Sequence, residues 1–348
     1  MSRWRLDWPW PDGEPVGTGT LKACPEDFRV TELLDVGGPV LELDPGTLPG
    51  QLAVPGEGEH LLIYLEKTGD NTPWVASQLG KLARCGDRGV GYSGLKDRHA
   101  ITRQWFSVQR PGLEADDASF LRNIQQVQDQ WRVLAVVRRG RKLRTGEHQA
   151  NRFEIRLRDL NGNAQAITDR LEALRQRGCP NYFGLQRFGH EGGNLDRAVA
   201  MAGNTGGKRR NRRAGSNREG LYFSAARSWL FNEVLAERVL REDWDQMLDG
   251  EPASEPTGPL WGDGGTRATG QQESLERGVV ARYPDVAQVF ASTRMSPDRR
   301  SLRLLPADLE WSFPAEGGGR WLDLSFTLLP GQYATTFLSA VVSPKDVD

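Results

Sequence analysis

Residues 89–106 read GVGYSGLKDRHAITRQWF, and two parsings of that stretch lead to different folds. In the first, Gly89, Gly91 and Gly94 satisfy G-x-G-x-x-G and cradle a dinucleotide phosphate. In the second, the glycines only shape the backbone, and the chemistry belongs to Asp97, which stands between Lys96 and Arg98. A dinucleotide cradle needs a strand before its first glycine and a helix after its last, with the helix N-terminus facing pyrophosphate. Here the order is reversed. Upstream, Thr72 offers an N-cap, Pro73 a first helical residue and Val75, Leu79 and Leu82 an apolar stripe, with Gly86 as the stop. Downstream, Ile101 to Val108 reads as extended. The Walker pattern fails as well, because Leu95 occupies its lysine position and neither Ser nor Thr follows Lys96. The glycines are turn formers that let the backbone approach something closely.

Working outward, HLLIYLEK (His60 to Lys67) is an apolar run bounded by glycine-rich sequence and reads as a buried strand, as does WRVLAVV from Trp131. NRFEIRLRDL from Asn151 alternates strictly. Phe153, Ile155 and Leu157 fall on one face and Arg152, Glu154, Arg156 and Arg158 on the other. Ile167, Leu171 and Leu174 mark a helix that ends near Gly178. Composition then shifts. A Gly/Arg/Asn-rich loop from Gly203 to Gly220 precedes a long helix, Tyr222 to Arg241, and a Gly/Pro-rich stretch from Gly250 to Gly270. WLDLSFTLL from Trp321 resembles a strand again, and ATTFLSAVV a helix. The plan is an α+β sheet domain interrupted by a middle domain of helices and loops.

With 38% hydrophobic and 26% charged residues the chain has the composition of a soluble globular protein, and its 348 residues suffice for two domains or for one domain carrying a large insertion. No apolar run approaches the roughly 20 residues of a membrane span, and MSRWRLDWPWPDGEP lacks the apolar core of a secretory signal. Cys24, Cys85 and Cys179 form no C-x-x-C, and His60, His99, His148 and His190 are scattered without metal-ligand spacing. A cytoplasmic, metal-free protein is expected. Net charge is −1, but the charges are segregated. Arg138, Arg139, Arg141, Lys142 and Arg144 form one basic cluster; Lys208, Arg209, Arg210, Arg212, Arg213 and Arg218 form another, and acids gather in REDWDQMLDGEPASE. Such a map suits either a phosphate-rich ligand or a solvated surface.

Asp97 itself has two readings. A turn aspartate before a strand commonly accepts a local hydrogen bond. Yet Lys96, Arg98 and Arg103 are cations that hold a carboxylate ionised and attract phosphates, which suits a nucleophile or general base. SGLKDRHAITRQWFS (Ser93 to Ser107) resembles the signature of the TruD family of tRNA pseudouridine synthases, G-x-K-D-[KR]-x-A-x-T, with Asp97 at the nucleophile position. Further blocks are similar to the family in the same order: KACPEDFRVTE from Lys22, RKLRTGEHQANRFEI from Arg141, NYFGLQRFG from Asn181, SAARSWLFNEVLAER from Ser224 and LPGQYATTFL from Leu329.

That resemblance implies a pseudouridine-synthase fold, an α/β (α+β) domain on a mixed, mainly antiparallel sheet. It is built from residues 1–177 and 305–348, with a TruD-type insertion at 178–304. It implies tRNA as the partner, with no cofactor, no metal and no membrane; a monomer is expected. By the same resemblance Asp97 is catalytic. Phe28 is an aromatic beside the substrate, Lys22 pairs with Asp97, Asn151 reads the uracil edge and Phe153 lies on the same strand face. Tyr333 falls where the family often has Phe and adds a hydroxyl. Thr102 and Arg103 are expected to support the turn, and Asn181, Tyr182, Phe183, Gln186 and Arg187 to be structural with RNA contact open. His99 stays outside the catalytic set.

Overall fold

The structure, a computed structural model, describes residues 3–44, 50–203, 217–291, 295–315 and 319–346. They fall into two compact units. One comprises Gly17–Ala166, Pro306–Gly331 and Ser343–Asp348; the other Met1–Val16, Ile167–Leu305 and Gln332–Val342. The second unit is thus wider than residues 178–304 on the chain, taking in segments from both ends.

The first unit is built on β1 (Gly17–Leu21), β2 (Phe28–Leu33), β3 (Leu41–Glu42), β4 (His60–Thr68), β5 (Val90–Tyr92), β6 (Ile101–Gln109), β7 (Arg132–Arg139) and β8 (Ala150–Gly162), with strands Ala307–Ser312, Trp321–Leu328 and Ser343–Asp346. All eleven form one sheet. Its main path runs Ala307–Ser312, Trp321–Leu328, β8, β2, β6, β4, β7, β3. β2 runs parallel to β6, and β1 to Ser343–Asp346; the other pairs are antiparallel. The expected mixed, mainly antiparallel sheet is therefore present.

Period-two patterning places the side chains. On β8, Phe153, Ile155 and Leu157 are buried, while Arg152, Glu154 and Arg158 are exposed. Registers Glu32↔Asn151, Val30↔Phe153, Phe326↔Phe153 and Val30↔Thr102 carry that inner face across four strands. Helices α1 (Thr72–Leu82) and α2 (Asp117–Val127) cover part of it, laying Val75, Leu79, Phe120 and Ile124 on Leu61, Ile63, Leu65 and Phe106. The helix before the glycines starts one residue earlier than expected. Asn71, not Thr72, caps it, accepting from the Trp74 amide at 2.9 Å. Thr72 is fully buried and its hydroxyl is engaged elsewhere.

The glycines of the opening stretch serve close approach rather than left-handed turns. A Cβ on Gly91 would overlap the Leu143 carbonyl oxygen, and one on Gly89 would stand 2.6 Å from the Cys85 side chain. Gly91 lies within β5, and β6 follows Gly94 where a dinucleotide cradle requires a helix.

In the second unit, α3 (Ala164–Arg177), α4 (Gly193–Gly203) and α5 (Asn217–Leu240) supply the main helices. Trp229, Leu230, Phe231 and Leu235 of α5 pack with Trp4, Trp8, Phe188, Trp244 and Phe290. The Trp8 indole donates to Glu233 at 2.8 Å, so the N-terminal tryptophans are core residues with satisfied polar ends. α5 begins five residues before the expected Tyr222. The basic cluster at Lys208, Arg209, Arg210, Arg212 and Arg213 lies outside the described residues.

Two substitutions test this packing. Gly91→Ala forces the β5–Leu143 contact apart and is expected to lower unfolding free energy by about 1–3 kcal/mol. Leu79→Ala should cost about 2–5 kcal/mol through its cavity. Urea denaturation of the two variants against the parent chain measures both.

Candidate active site

The loop Ser93–Ala100 joins β5 to β6, and its conformation is set from below by buried polar side chains. The Thr72 hydroxyl donates to Gln104 Oε1 at 2.8 Å and accepts the Lys96 amide at 3.0 Å. Gln104 Nε2 donates in turn to the Gly94 carbonyl at 3.2 Å. Lys96 Nζ reaches Glu32 Oε2 on β2 at 2.8 Å, while Glu32 Oε1 accepts the Trp105 amide of β6 at 3.1 Å. The side chains of Lys96 and Glu32 are 4% and 0% exposed, so this ion pair is sealed from water. Gly94 leaves room for it: a Cβ there would meet Lys96 Nζ at 3.2 Å and His148 Cε1 at 3.3 Å.

Asp97 stands on this platform with both oxygens engaged. Oδ1 accepts the His99 amide at 2.9 Å, the local turn bond that its position suggested. Oδ2 takes a hydrogen bond from Lys22 Nζ. Burial pushes the carboxyl up, but the Lys22 hydrogen bond, the His99 amide and the Lys22 charge outweigh it, so the net direction is down. The group is an anion at neutral pH, and its side chain keeps 33% of its surface open.

Lys22 reaches Asp97 from a strained backbone, with φ of +58° just after β1. Its ammonium also lies 4.7 Å from the Phe28 ring centroid. Phe28 meets Phe153 edge-on at 6.1 Å, and Phe153 stacks on Phe326 at 5.4 Å. Phe28 and Phe153 are 4% and 8% exposed, so most of each ring is core. Asn151 shares their face, and its Oδ1 is buried with no hydrogen-bond partner among the described residues.

Lys22, Phe28, Asp97, Asn151 and Phe153 therefore belong to the sheet unit. Tyr333 belongs to the other, where it caps the helix Ala334–Ser339 and lies 6.3 Å from the Phe183 ring. An open groove of about 660 Å³ runs along the opposite face of the sheet, between Arg29, Glu154, Arg156, Glu310 and Asp323. Two of its three arginines are already matched, Arg156 to Asp323 and Arg158 to Asp27, each by two hydrogen bonds.

A carboxylate kept ionised and one-third open, paired with a lysine that lies over an aromatic ring, and an unsatisfied amide oxygen on that ring's sheet face fit the chemistry implied by the signature around Asp97. The model of tRNA pseudouridine synthase D (TruD) matches residues 12–197. The chain belongs to the TruD family. It is 51% identical to a Marinobacter nauticus protein named tRNA pseudouridine synthase D, over 99% of this chain and 97% of that one. Proteins of the same name from Pseudomonas fluorescens and Azotobacter vinelandii are 38% and 39% identical, each alignment spanning 98% of this chain and 96% of the relative. A solved Methanosarcina mazei structure, described as a putative tRNA pseudouridine synthase D (TruD), superposes with a TM-score of 0.63 at 16% identity. The match spans 98% of this chain and 95% of that one, and it shows a shared fold.

In this TruD-family chain the site extends beyond the residues its sequence singled out. Glu32, Thr72 and Gln104 complete the loop's support, and Lys67 joins them from β4. Lys67 is wholly buried and donates to the Asp70 carbonyl at 2.7 Å. Burial pushes its ammonium down to about 8; Asp70 opposes that and the Lys96 charge adds to it. Glu32 closes the KACPEDFRVTE block and Lys96 precedes the aspartate, so both were visible as letters, but their pairing across 64 residues was not. The cluster at 138–144 is largely paired with acids of the chain. Arg138 is buried on Asp117 at 2.7 Å, and Arg139 and Arg141 share Glu147. Three of its four arginines thus pair with the chain's own acids.

Lys96→Ala leaves the Glu32 carboxylate buried without its cation and is expected to destabilise the fold by about 3–5 kcal/mol, measured by denaturant titration. The exposed pair Arg241–Glu237, cut by Arg241→Ala, should cost at most about 1 kcal/mol. Lys67 carries a depressed folded-state value, so the unfolded chain binds more protons between about pH 8 and its ordinary 10.5. Unfolding free energy should therefore gain up to about 3 kcal/mol across that window relative to Lys67→Met, in which the gain is absent.

Proposed function

We propose that this chain isomerises uridine to pseudouridine in tRNA, at position 13, with Asp97 as the nucleophile. The observation that carries the reading is the state of Asp97: ionised, fixed through one oxygen by the His99 amide, held by Lys22 through the other, and one-third open to solvent. The reaction breaks the N1–C1′ bond, turns the uracil and joins C5 to C1′. The C5 proton leaves and N1 gains one, so the product is an isomer of the substrate and no redox equivalent is consumed. The carboxylate attacks the nucleoside at C1′ or adds to C6 of the ring; both routes use the same anion.

The target nucleotide must leave its stack to meet Asp97. Asn151 has a buried Oδ1 free to accept the uracil N3–H, a pairing that reads uracil by its edge. Phe28 presents its remaining edge beside Lys22, with Phe153 behind it, and Tyr333 is read as a further aromatic that contacts the RNA. Lys22 holds the carboxylate in its reactive ionisation state. We further read residues 1–177 and 305–348 as the catalytic domain, with 178–304 as the family's insertion. The protein works as a cytoplasmic monomer, without metal or cofactor. No helix among the described residues is long and apolar enough to cross a membrane.

Incubation with tRNA carrying C5-tritiated uridine should release tritium. Asp97→Asn should reduce release at least 10³-fold while tRNA affinity stays within about threefold. Release of free uracil instead would assign a glycosidic hydrolase, and no release from any tRNA by folded protein would remove the proposal. Lys22→Met removes the hydrogen bond that leads the lowering of Asp97, so its carboxyl value rises. The acid limb of kcat/KM is then expected to move to higher pH, as read from a pH–rate profile.

A further inference from the structure

Arg187 and Arg300, in the helical unit, are two cations without an acid between them. The Arg300 guanidinium lies 3.9 Å from the Phe183 ring centroid, 5.4 Å from Phe231 and 5.7 Å from Tyr333. Its Nη2 donates to Asn181 Oδ1 at 2.7 Å and to the Asn181 carbonyl at 3.2 Å; its Nε is buried with no partner among the described residues. Asn181 is itself pinned, donating Nδ2 to the Ser301 carbonyl at 2.9 Å, and Phe183 is clasped by Asn232 through both backbone polar groups. Arg187 approaches the same Phe183 ring at 5.6 Å and donates Nε to Ser228 Oγ at 3.4 Å. Among the described residues neither guanidinium pairs with a carboxylate.

That arrangement needs an explanation, because it opposes ordinary electrostatics. Two like charges sharing one aromatic ring repel, and desolvation penalises a cation that no anion offsets. Burial pushes Arg300 down to about 10, Tyr333 opposes the shift and Arg187 adds to it, so the guanidinium still carries its charge at neutral pH. The chain neutralises its most buried arginine side chains, Arg138 by Asp117, Arg238 by Asp243 and Arg299 by Glu251 and Glu276, whereas the half-buried Arg227 donates to the Trp261 and Ser296 carbonyls. Planar guanidiniums fixed on a ring with free N–H groups suit a phosphate, whose oxygens accept two such donors in parallel.

We infer that Arg187 and Arg300 form a phosphodiester clamp that grips the tRNA backbone next to the nucleotide contacted by Tyr333. The assignment rests on the tRNA reading above. It also moves the electrostatic grip away from the obvious basic run at 138–144, most of whose arginines are paired internally.

The test is the salt dependence of tRNA binding by the full chain, measured by fluorescence anisotropy from 50 to 300 mM KCl. Each phosphate contact contributes close to one unit to the slope of log K against log salt. Arg187→Gln is expected to lower that slope by about one and to weaken binding roughly tenfold at 100 mM salt. Arg187→Lys, which keeps the charge, should restore most of the slope; Arg141→Gln, whose parent residue is paired with Glu147, should leave it unchanged. Arg300→Gln is expected to behave like Arg187→Gln. If it fails to fold, as a melting curve would show, Arg187→Gln alone decides. An unchanged slope in folded Arg187→Gln that still releases tritium overturns the clamp and leaves the isomerase reading intact. A lowered slope in a chain that releases no tritium supports the clamp and removes the isomerase. Failure of the unsubstituted chain to bind tRNA overturns both.

Discussion

Glu32 is a residue on which the geometry of the loop Ser93–Ala100 depends, and it makes no hydrogen bond to Asp97 among the described residues. One of its oxygens takes the Lys96 ammonium and the other takes the Trp105 amide, so a single buried carboxylate ties β2, the loop and β6 together. The position directly before Asp97 is therefore locked from beneath. Replacing such a pair by apolar residues is often neutral for stability, so stability alone does not account for its presence. Its geometric consequence does: with Lys96 drawn into the sheet, the next side chain is turned the other way, toward Lys22 and solvent.

The two readings of Asp97, turn residue and reactive anion, are consequently not rivals. A carboxylate has two oxygens, and the structure gives one to each task. The His99 amide fixes the side chain's rotamer at the cost of Oδ1, and Lys22 holds Oδ2 ionised without burying it. Lys22 reaches it from left-handed backbone, a conformation that costs a non-glycine residue about 1–2 kcal/mol. Glycine would relieve that strain and lose the ammonium. Strain retained at the one residue whose side chain contacts the nucleophile is best understood as stability exchanged for placement.

What the sequence disclosed, and what it withheld, follows the range of the interactions involved. Strand β8 and the helix at 72–82 were legible because period and caps are local, and even there the cap slipped by one residue. Thr72 carries cap chemistry, but a tertiary partner, Gln104, claimed its hydroxyl. Lys67 looked like the polar end of an apolar strand. Its complete burial depends on the loop and strand segments brought around it by folding, so no local pattern announces it. The N-terminal tryptophans belonged to no periodic segment and became core through α5, more than 220 residues away along the chain. Asp97, Lys22, Phe28 and Asn151 were singled out by motif resemblance, and Phe153 by its place two residues beyond Asn151 on the same strand face. Lys22 and Asp97 meet as expected, and the partnerless Asn151 oxygen appears only once the sheet is assembled.

Charge shows the same limit in a form that bears on how the molecule meets RNA. Runs of arginine stand out in a sequence, yet a run says nothing about where the acids are. Asp117 and Glu147 absorb most of the run at 138–144, and Arg138 becomes a buried strut that also donates to the carbonyls of Gly58 and Arg110. Arg187 and Arg300 lie 113 positions apart and form no run, but folding brings them over one phenylalanine with no acid to answer them. The free energy of gripping a polyanion comes from cations that remain unneutralised in the folded state, because only those release counterions from the phosphates they meet. Counting basic residues along the chain and counting what each guanidinium already touches therefore rank the two places in opposite orders.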